Sequence, residues 1–138
     1  MAKSSGLLDY FACDDSGGSV RDISNDVTSL GVNVGQDLII ITGLDKAAVE
    51  RLIGLGDGSF AVSGVFNSAS NKSHDVFKTR TGTRTVSYAI GGNTSGLPIL
   101  TMEMLVDSYN LARGSDGSLT WSVGLQLQSG TTPTWATV

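Results

Sequence analysis

The sequence is poor in the residues that cross-link a chain or carry out catalysis. It has one cysteine, Cys13, so it cannot form an internal disulfide. His74 is its only histidine, and prolines number only two in 138 residues. No apolar run approaches the ~20 residues of a membrane-spanning helix. Residues 1–11 also lack the long apolar segment of a secretory signal. These absences exclude a disulfide scaffold and predict a soluble protein without a membrane span.

Positive charge is also scarce and is spread along the chain. Nine Lys and Arg residues stand against 13 Asp and Glu, which gives a net charge of -4. Only Lys78, Arg80 and Arg84 come near to a cluster. Tight nucleic-acid binding needs a basic stripe that follows the phosphates, and this sequence has none. The sequence is still compatible with an acidic surface along which nucleic acid slides without binding.

The few residues that could carry acid–base or nucleophilic chemistry lack partners. Asp75 directly follows His74, and adjacent residues on a strand point to opposite faces, so we expect a surface or capping histidine. Cys13 precedes Asp14 and Asp15 and has no basic neighbour to lower its pKa, so we expect an inert thiol. The sequence therefore predicts no catalytic residue, and we do not expect an enzyme.

The sequence pattern also gives no support for a metal site or a phosphate site. The aspartates between positions 14 and 26 do not match a calcium loop, which predicts solvated turn carboxylates. Gly54, Gly56 and Gly58 resemble a phosphate cradle, but they follow a predicted helix instead of preceding one, which predicts a helix stop and a turn. We expect neither a metal nor a cofactor.

The sequence is rich in the residues of strands and turns. Its 18 glycines lie with Ser and Thr between apolar segments. The clearest strand is 118–128, because Leu119, Trp121, Val123, Leu125 and Leu127 share one face of a period-two pattern. Weaker patterns predict further strands at 27–42 (two strands meeting near 35–37), 59–67, 83–90 and 97–107. The glycine-rich stretch 91–96 suits a hairpin loop.

Helical spacing occurs in one place. Leu44, Ala48, Val49 and Leu52 recur at the period of a short amphipathic helix over 45–53. Residues 71–77 could hold one more helical turn. Strands joined by short turns favour an antiparallel β-sandwich or half-barrel with one short flanking α-helix. We expect a single domain over 1–138, with a core at 20–128 and terminal arms at 1–19 and 129–138 that become ordered only with a partner.

Several runs taken together resemble the tail tube proteins of long-tailed bacteriophages, in the form found among phages of actinobacteria. In order they are DISNDVTS at 22–29, ITGLDKAAVERL at 41–52, LGDGSF at 55–60, VFN at 65–67 with His74 shortly after, and RGSDGSLT at 113–120. Each run alone is ordinary strand and turn chemistry. Their order and spacing cover roughly residues 20–128 and carry the resemblance.

The resemblance implies a structural virion protein that assembles with copies of itself. Six subunits would form a ring whose sheets join into a continuous inner barrel, and rings would stack into a tube. DNA would pass through as cargo without specific binding, and other virion proteins would be the remaining partners. The protein would be made in the host cytoplasm and reside in the virion tail.

Two sets of residues follow as candidates. Thr101, Glu103, Ser122 and Gln126 occupy polar strand faces and are candidates to face a lumen, although an outward solvated face would have the same pattern. The block 68–82, which separates strong strands, and the two ends of the chain are candidates for contacts between subunits or between rings. Within the block, the candidate residues are Asn71, Lys72, His74, Lys78 and Arg80.

Three other functions stay open at this point. A capsid-decorating protein or a head–tail joining protein of a phage is also small, β-rich and acidic. A monomeric β-sandwich binding module would have ordered ends and a mass that does not change with concentration.

Overall fold

The strands form one antiparallel sheet that folds over on itself. The computed structural model describes Lys3 and residues 5–138. In chain order the elements are β1 (Tyr10–Asp14), β2 (Val20–Asp22), a turn of 3-10 helix (Ser24–Asp26), β3 (Val27–Ile40), β4 (Arg51–Val65), α1 (Ser73–Phe77), β5 (Arg84–Ala89), β6 (Pro98–Arg113), β7 (Leu119–Leu127) and β8 (Trp135–Thr137). The sheet order is β2-β1-β5-β6-β7-β4-β3, and β8 pairs with β6. The predicted fold class, mainly antiparallel β with one short helix, is confirmed.

The strand β6 belongs to both layers of the fold. Its first half pairs with β5 and β8, and its second half pairs with β7. The register shifts between Val106 and Ser108, where a β-bulge bends the strand. Phe11 of β1 and Phe60 of β4 meet with ring centroids 5.8 Å apart, although β5, β6 and β7 separate their strands in the sheet. The sheet therefore closes over a core between two layers.

The core has the alternation that the sequence predicts. In β7, Trp121, Val123 and Leu125 are buried, while Ser122 and Gln126 on the other face are exposed. The indole N–H of Trp121 donates to the carbonyl oxygen of Val65 at 2.9 Å, so its one polar atom has a partner. Burying a large apolar side chain is worth about 1.5–3 kcal/mol. This burial fixes which face of β7 points inward.

The helix α1 closes one end of the core. Val76 and Phe77 are fully buried, and the Phe77 ring lies 5.4 Å from that of Trp121 between centroids. The buried carboxylate of Asp26 accepts hydrogen bonds from the Ser73 backbone N–H at 3.1 Å and from Asn67 Nδ2 at 3.0 Å. A helix of five residues is not stable alone, so these contacts hold it in place. The predicted helical turn at 71–77 is confirmed.

Arg84 lies inside the protein instead of on a basic surface. Its side chain is fully buried, and Nη1 donates to the carbonyl oxygens of Asp14 at 2.9 Å and Val76 at 2.8 Å. Nη2 donates to Thr79 O as well. One guanidinium therefore ties β1 to the end of α1 and to the loop after it. Only Lys78 and Arg80 of the sequence cluster remain exposed.

The predicted helix at 45–53 is wrong. Arg51, Leu52 and Ile53 pair with Ile40, Ile39 and Leu38, so this stretch forms the end of a long hairpin. The glycines 54, 56 and 58 lie within β4 and not in a helix stop and turn. Nine residues make a marginal helix without a surface to cover. Pairing with the isoleucine-rich apolar run 38–41 is the more stable alternative.

Two other boundaries also differ from the prediction. Residues 27–42 do not form two strands, because β3 runs through residues 35–37 with a register shift between Gln36 and Leu38. The predicted terminal arms contain strands within the single chain: Tyr10–Asp14 is mostly buried, and Trp135–Thr137 pairs with the first residues of β6. Whether the ends also need a partner to become fully ordered stays a prediction. The part of the predicted N-terminal arm at residues 1, 2 and 4 lies outside the described residues.

Candidate assembly surface

The strands β6, β7, β4 and β3 form a continuous sheet that is open on both sides. Within the described residues, β3 pairs only with β4. On the opposite side, β5 accompanies β6 only as far as Met104, so Leu105–Arg113 pairs with β7 alone in the described chain. Both edges therefore present backbone N–H and C=O groups outward. Such edges are ready to pair with a strand of another molecule.

The outward side of this sheet, which we call the polar face, has an unusual composition. It consists mainly of small or uncharged polar residues, and cross-strand pairing fixes which residues share it. Its small and polar members are Ser29, Gly31, Asn33, Ser59, Ala61, Ser63, Ser108, Asn110, Ala112, Thr120, Ser122, Gly124 and Gln126. The same pairing also places two exposed apolar side chains on it, Val65 opposite Thr120 and Leu105 opposite Gln126. Across its middle, Gly31, Ala61, Gly124 and Ser108 are consecutive partners, so no side chain in this row exceeds a hydroxymethyl group.

The polar face carries carboxylates but no basic side chain in its interior. The four strands contain two basic residues, Arg51 at the start of β4 and Arg113 at the end of β6. Asp57 has the same parity as Ser59 in β4, and Asp107 extends over Gly124. A polyanion near this face would meet hydroxyls and negative charge. Electrostatic attraction to phosphates needs amines or guanidinium groups, which lie only at the strand ends.

The hairpin of β3 and β4 projects beyond the sheet as an arm, which we define as Leu38–Ile53. A bulge separates it from the sheet, because Gln36 pairs with Gly56 whereas Leu38 pairs with Ile53. A Cβ on Gly54 would lie 3.1 Å from the Asp37 Cβ, so glycine permits this close crossing. The apolar side chains of the arm are largely exposed: Leu38, Ile39, Ile40, Ile41, Leu44, Val49, Leu52 and Ile53. Large exposed apolar patches mark interaction sites.

The turn of the arm is held by its own polar groups. The Ile41 N–H donates to Glu50 O at 3.0 Å, and the Glu50 N–H donates to Thr42 Oγ1 at 2.9 Å. Lys46 Nζ lies 3.6 Å from a carboxylate oxygen of Glu50. Exposed ion pairs contribute little, so the two backbone hydrogen bonds do most to shape the turn. The arm is thus a defined ribbon that displays apolar side chains.

The four candidate lumen residues divide between two parts of the sheet. Ser122 and Gln126 lie on the polar face in β7. Thr101 and Glu103 lie on the first half of β6, where their partners are Ser87 and Thr85. The Thr85 hydroxyl donates to the Glu103 carboxylate. The structure therefore groups the first two and separates them from the second two, and a lumen role for any of the four stays a prediction.

The five candidate contact residues surround α1, at the end of β4 opposite the arm. Lys78 Nζ lies 2.8 Å from an Asp75 carboxylate oxygen, and the Asn71 N–H donates to the same carboxylate at 3.0 Å. These two groups hold the pKa of Asp75 below its usual value. Their role between subunits stays a prediction.

The other candidates around α1 are arranged differently. His74 Nδ1 lies 3.1 Å from the Tyr109 hydroxyl and takes part in an aromatic cluster with Phe66. Arg80 is exposed and Lys72 partly so. Several of these residues therefore already have contacts within the chain.

The thiol of Cys13 is far from reactive. It is fully buried, and burial raises its pKa to about 12. In the described part of the chain no three His, Cys, Asp or Glu side chains converge on a possible metal site. No helix among the described residues has the length and hydropathy to cross a membrane.

Sequence reasoning missed most of the polar face and all of the arm. The signals were present: Ser29, Gly31 and Asn33 alternate with apolar neighbours, and Leu38–Ile41 is an uninterrupted apolar run. Their meaning depends on which strands are neighbours in the sheet. That pairing connects residues far apart in the chain and cannot be read from a local pattern.

Comparison with known proteins gives the fold a clear counterpart. No protein-family model matches the chain, and no curated protein matches it by sequence. Solved structures match over nearly the whole chain. The SPP1 tail tube protein has a TM-score of 0.73 at 11% identity, over 99% of this chain and 80% of that one.

Two assembled particles supply further matches. The tail of an empty gene transfer agent particle with C6 symmetry gives a TM-score of 0.66 at 15% identity, covering 99% of both chains. The six-fold baseplate of the anti-feeding prophage gives 0.66 at 14% identity, covering 100% of this chain and 98% of that one. The fold of this chain is therefore the tail tube fold of phage-like particles.

Proposed function

We propose that the protein is a tail tube protein whose copies join edge to edge into rings that stack into a tube around a lumen for DNA. The observation that carries the proposal is the polar face, a sheet with two open edges and no basic side chain in its interior. The shared fold with proteins of C6-symmetric tails supports it. Its place would be the virion tail, where other virion proteins would contact the tube.

The two edges suit each other in a ring. In the order β6-β7-β4-β3 neighbouring strands are antiparallel, so β3 runs opposite to β6. Rotation about a ring axis keeps this direction, which places the β6 edge of one copy antiparallel to the β3 edge of the next. The joint uses two different surfaces of each copy, as closure by head-to-tail contacts requires. Pairing there continues the sheet without a break.

The diameter of the resulting barrel follows from its number of strands. With six copies, as in the C6-symmetric structural neighbour, the four strands of each copy give a closed sheet. About 24 strands at ~4.8 Å spacing and a tilt of about 40° make a barrel roughly 45–50 Å across between backbones. Its interior surface would be the polar face. Hydroxyls and carboxylates there would let a polyanion pass without holding it.

Ring closure can be tested at one backbone amide. The Gly114 N–H donates to Ser118 O at 2.8 Å, so by alternation the Leu111 N–H points away from β7 toward the open edge. Leu111→Pro removes that donor and spares the β7 ladder. We expect the wild type to form rings and tubes in negative-stain micrographs, and Leu111→Pro to stay monomeric by light scattering.

The matched control is Leu111→Ser, which changes the side chain but keeps the N–H. It should assemble like the wild type. Rings formed equally well by Leu111→Pro would contradict the edge-to-edge joint. A wild type that stays monomeric at high concentration would contradict the tube itself, and trimers or knobs bound to capsids would point to a decorating role.

A further inference from the structure

A pocket of about 500 Å³ lies beside the start of β3, at the open edge of the sheet. Its lining comes from both layers of the fold, with Phe11 and Tyr88 on one side and Leu30 on the other. Of the described residues that line it, only Asp9 is charged. The Asp9 carboxylate accepts hydrogen bonds from the Tyr88 hydroxyl at 2.5 Å and from the Gly91 N–H at 2.8 Å. These contacts hold the carboxylate at the pocket.

The pocket suits a guanidinium group from another molecule. Among the described residues Asp9 forms no ion pair, and both of its hydrogen-bond donors are neutral. Arginine binds carboxylates through two N–H donors, and its flat side chain stacks on aromatic rings. Phe11 and Tyr88 supply such rings in the lining of the same pocket.

Arg113 is a candidate for this role at the other open edge. It is the last residue of β6, it is exposed, and it forms no ion pair within the described chain. Its pairing with Leu119, which has the parity of buried Trp121, places its side chain on the core side of the sheet. By the alternation that orients the Leu111 N–H, the N–H of Arg113 also points to the open edge.

Closure of the ring determines which residues meet at the joint. Equivalent residues of neighbouring copies lie at the same height, whereas strands tilted by about 40° climb around the barrel. Four strands at ~4.8 Å span about 19 Å, so the pairing shifts by about 16 Å along the strands per copy, or about 4.7 residues. The shift must be even, because side chains alternate and the polar face stays inside. The nearest even number is four.

The twist of the strands gives the direction of this shift. With β6 pointing upward and the core side toward the viewer, L-residues place the open edge of β6 on the right, and barrel strands lean to the right. The next copy is therefore met further along its β3. Ser108 shares a row with Gly31 in its own copy, so across the joint it meets Gly35 of the next copy. Counting along the antiparallel strands then places Arg113 opposite Leu30 of the next copy, in the lining of the pocket.

We infer that this pocket receives Arg113 of the next copy in the ring, and that the guanidinium pairs there with Asp9. The inference rests on the proposed function and adds to it the residue pair that sets the register of the joint. A shift of six would place Arg113 opposite Val32, which does not line the pocket. Complementary charge at one position of an otherwise uncharged row penalises such slips.

Disulfide trapping tests the register. A shift of four places Asn110 opposite Asn33 of the next copy, in a pair whose Cα atoms lie about 4.5 Å apart, within reach of a disulfide. Asn110→Cys with Asn33→Cys should give covalent ladders up to hexamers on mild oxidation. The control, Asn110→Cys with Gly35→Cys, fits a shift of six and should give few cross-links. The native Cys13 is fully buried and contributes no background. Preferential cross-linking of the control would overturn the register.

A double-mutant cycle tests the ion pair. Arg113→Gln and Asp9→Asn each remove one charge, and the asparagine can still accept from the Gly91 N–H. We expect each single variant to raise the concentration for half-maximal ring formation by about fivefold at low salt, and the double variant to resemble either one. Arg51→Gln, which removes the other basic residue of the four strands, should form rings like the wild type.

The outcomes separate this inference from the proposed function. Rings that form normally but show additive effects of the two substitutions would refute the Arg113–Asp9 pair alone. A wild type that forms no rings at any concentration would refute the proposed function, and the pair with it. Circular dichroism of each variant at low concentration checks that the single chain still folds.

Discussion

The buried guanidinium of Arg84 makes a demanding test of how this core is held together. Arg84→Met keeps much of the side-chain volume but removes every donor. The carbonyl oxygens of Asp14 and Val76, at 2.9 and 2.8 Å from Nη1, then lose their buried partner. Inside the same core, Asp14 Oδ1 is already buried without a hydrogen-bond partner.

The magnitude follows from these groups. Each buried polar group left without a partner costs about 1–3 kcal/mol, and Arg84→Met leaves at least two carbonyl oxygens without one. We expect the free energy of unfolding to fall by about 4 kcal/mol. For a domain of this size that corresponds to a melting temperature lower by about 10–15 °C. Urea and thermal unfolding followed by circular dichroism measure both.

Arg80→Met is the matched control, because it removes the same chemical group from an exposed position. Its free energy of unfolding should change by no more than about 0.5 kcal/mol. Both variants are measured at low concentration, so that self-association does not add to stability. A loss under about 1 kcal/mol for Arg84→Met would refute the idea that this residue ties β1 to the end of α1.

Three further predictions address packing, titration and the polar face. Gly64→Ala should lower the free energy of unfolding in urea by more than about 3 kcal/mol, because the added Cβ would lie 1.8 Å from the backbone oxygen of Asp26. Gly31→Ala is the control: the atom nearest to its added Cβ is 4.0 Å away, so its stability should be close to that of the wild type. Burial, and then a hydrogen bond to the Asp9 carboxylate, raises the pKa of Tyr88 to about 12. The neutral side chain therefore stabilises the fold below pH 10, and this contribution to the free energy of unfolding is lost as the pH rises through 12. Tyr88→Phe should remove that alkaline loss, seen as a flatter stability profile between those values; an unchanged profile would contradict it. Assembled tubes of Ser122→Lys should retain DNA at low salt and release it at high salt, whereas tubes of Ser122→Glu should retain none. Equal DNA retention by the two variants would show that the polar face does not line the lumen.

Much of the fold follows from local pattern. The strand β7 is predictable from alternation because one face is buried throughout and the other is wet, so Trp121 and Ser122 have opposite surroundings. The hairpin of β5 and β6 is predictable because a glycine-rich loop joins two alternating strands. These elements need only information from neighbouring residues.

The errors share a physical cause. At 45–53 the apolar spacing fits a helix, but Leu52 is paired with Ile39, and no local pattern shows that pairing. The strand β8 has only three residues, too few to show an alternating pattern in the sequence. It forms a strand because it pairs with residues 98–100 of β6. Arg84 stands close to Lys78 and Arg80 in the sequence, and charge alone does not reveal that its side chain is buried. Each error concerns a contact between distant parts of the chain.

The candidate surface depends even more on such contacts. The polar face assembles residues from four strands between positions 29 and 126, and its open edges are defined by where β5 stops accompanying β6. A sequence pattern shows which side chains alternate, but the sheet order decides which of them are neighbours. The apolar run at 38–41 was the one local sign of an interaction surface.

The strand β6 has a mechanical consequence of its own. It is 16 residues long; its first half is fastened to β5 and β8, and its second half borders the proposed joint. The two halves are one continuous backbone that passes through the bulge between Val106 and Ser108. In the proposed tube, force applied at the joint between subunits would therefore pass into the opposite layer of the same molecule. When such a tube bends, the deformation would be distributed over both layers of every subunit and would not be confined to the joints between subunits.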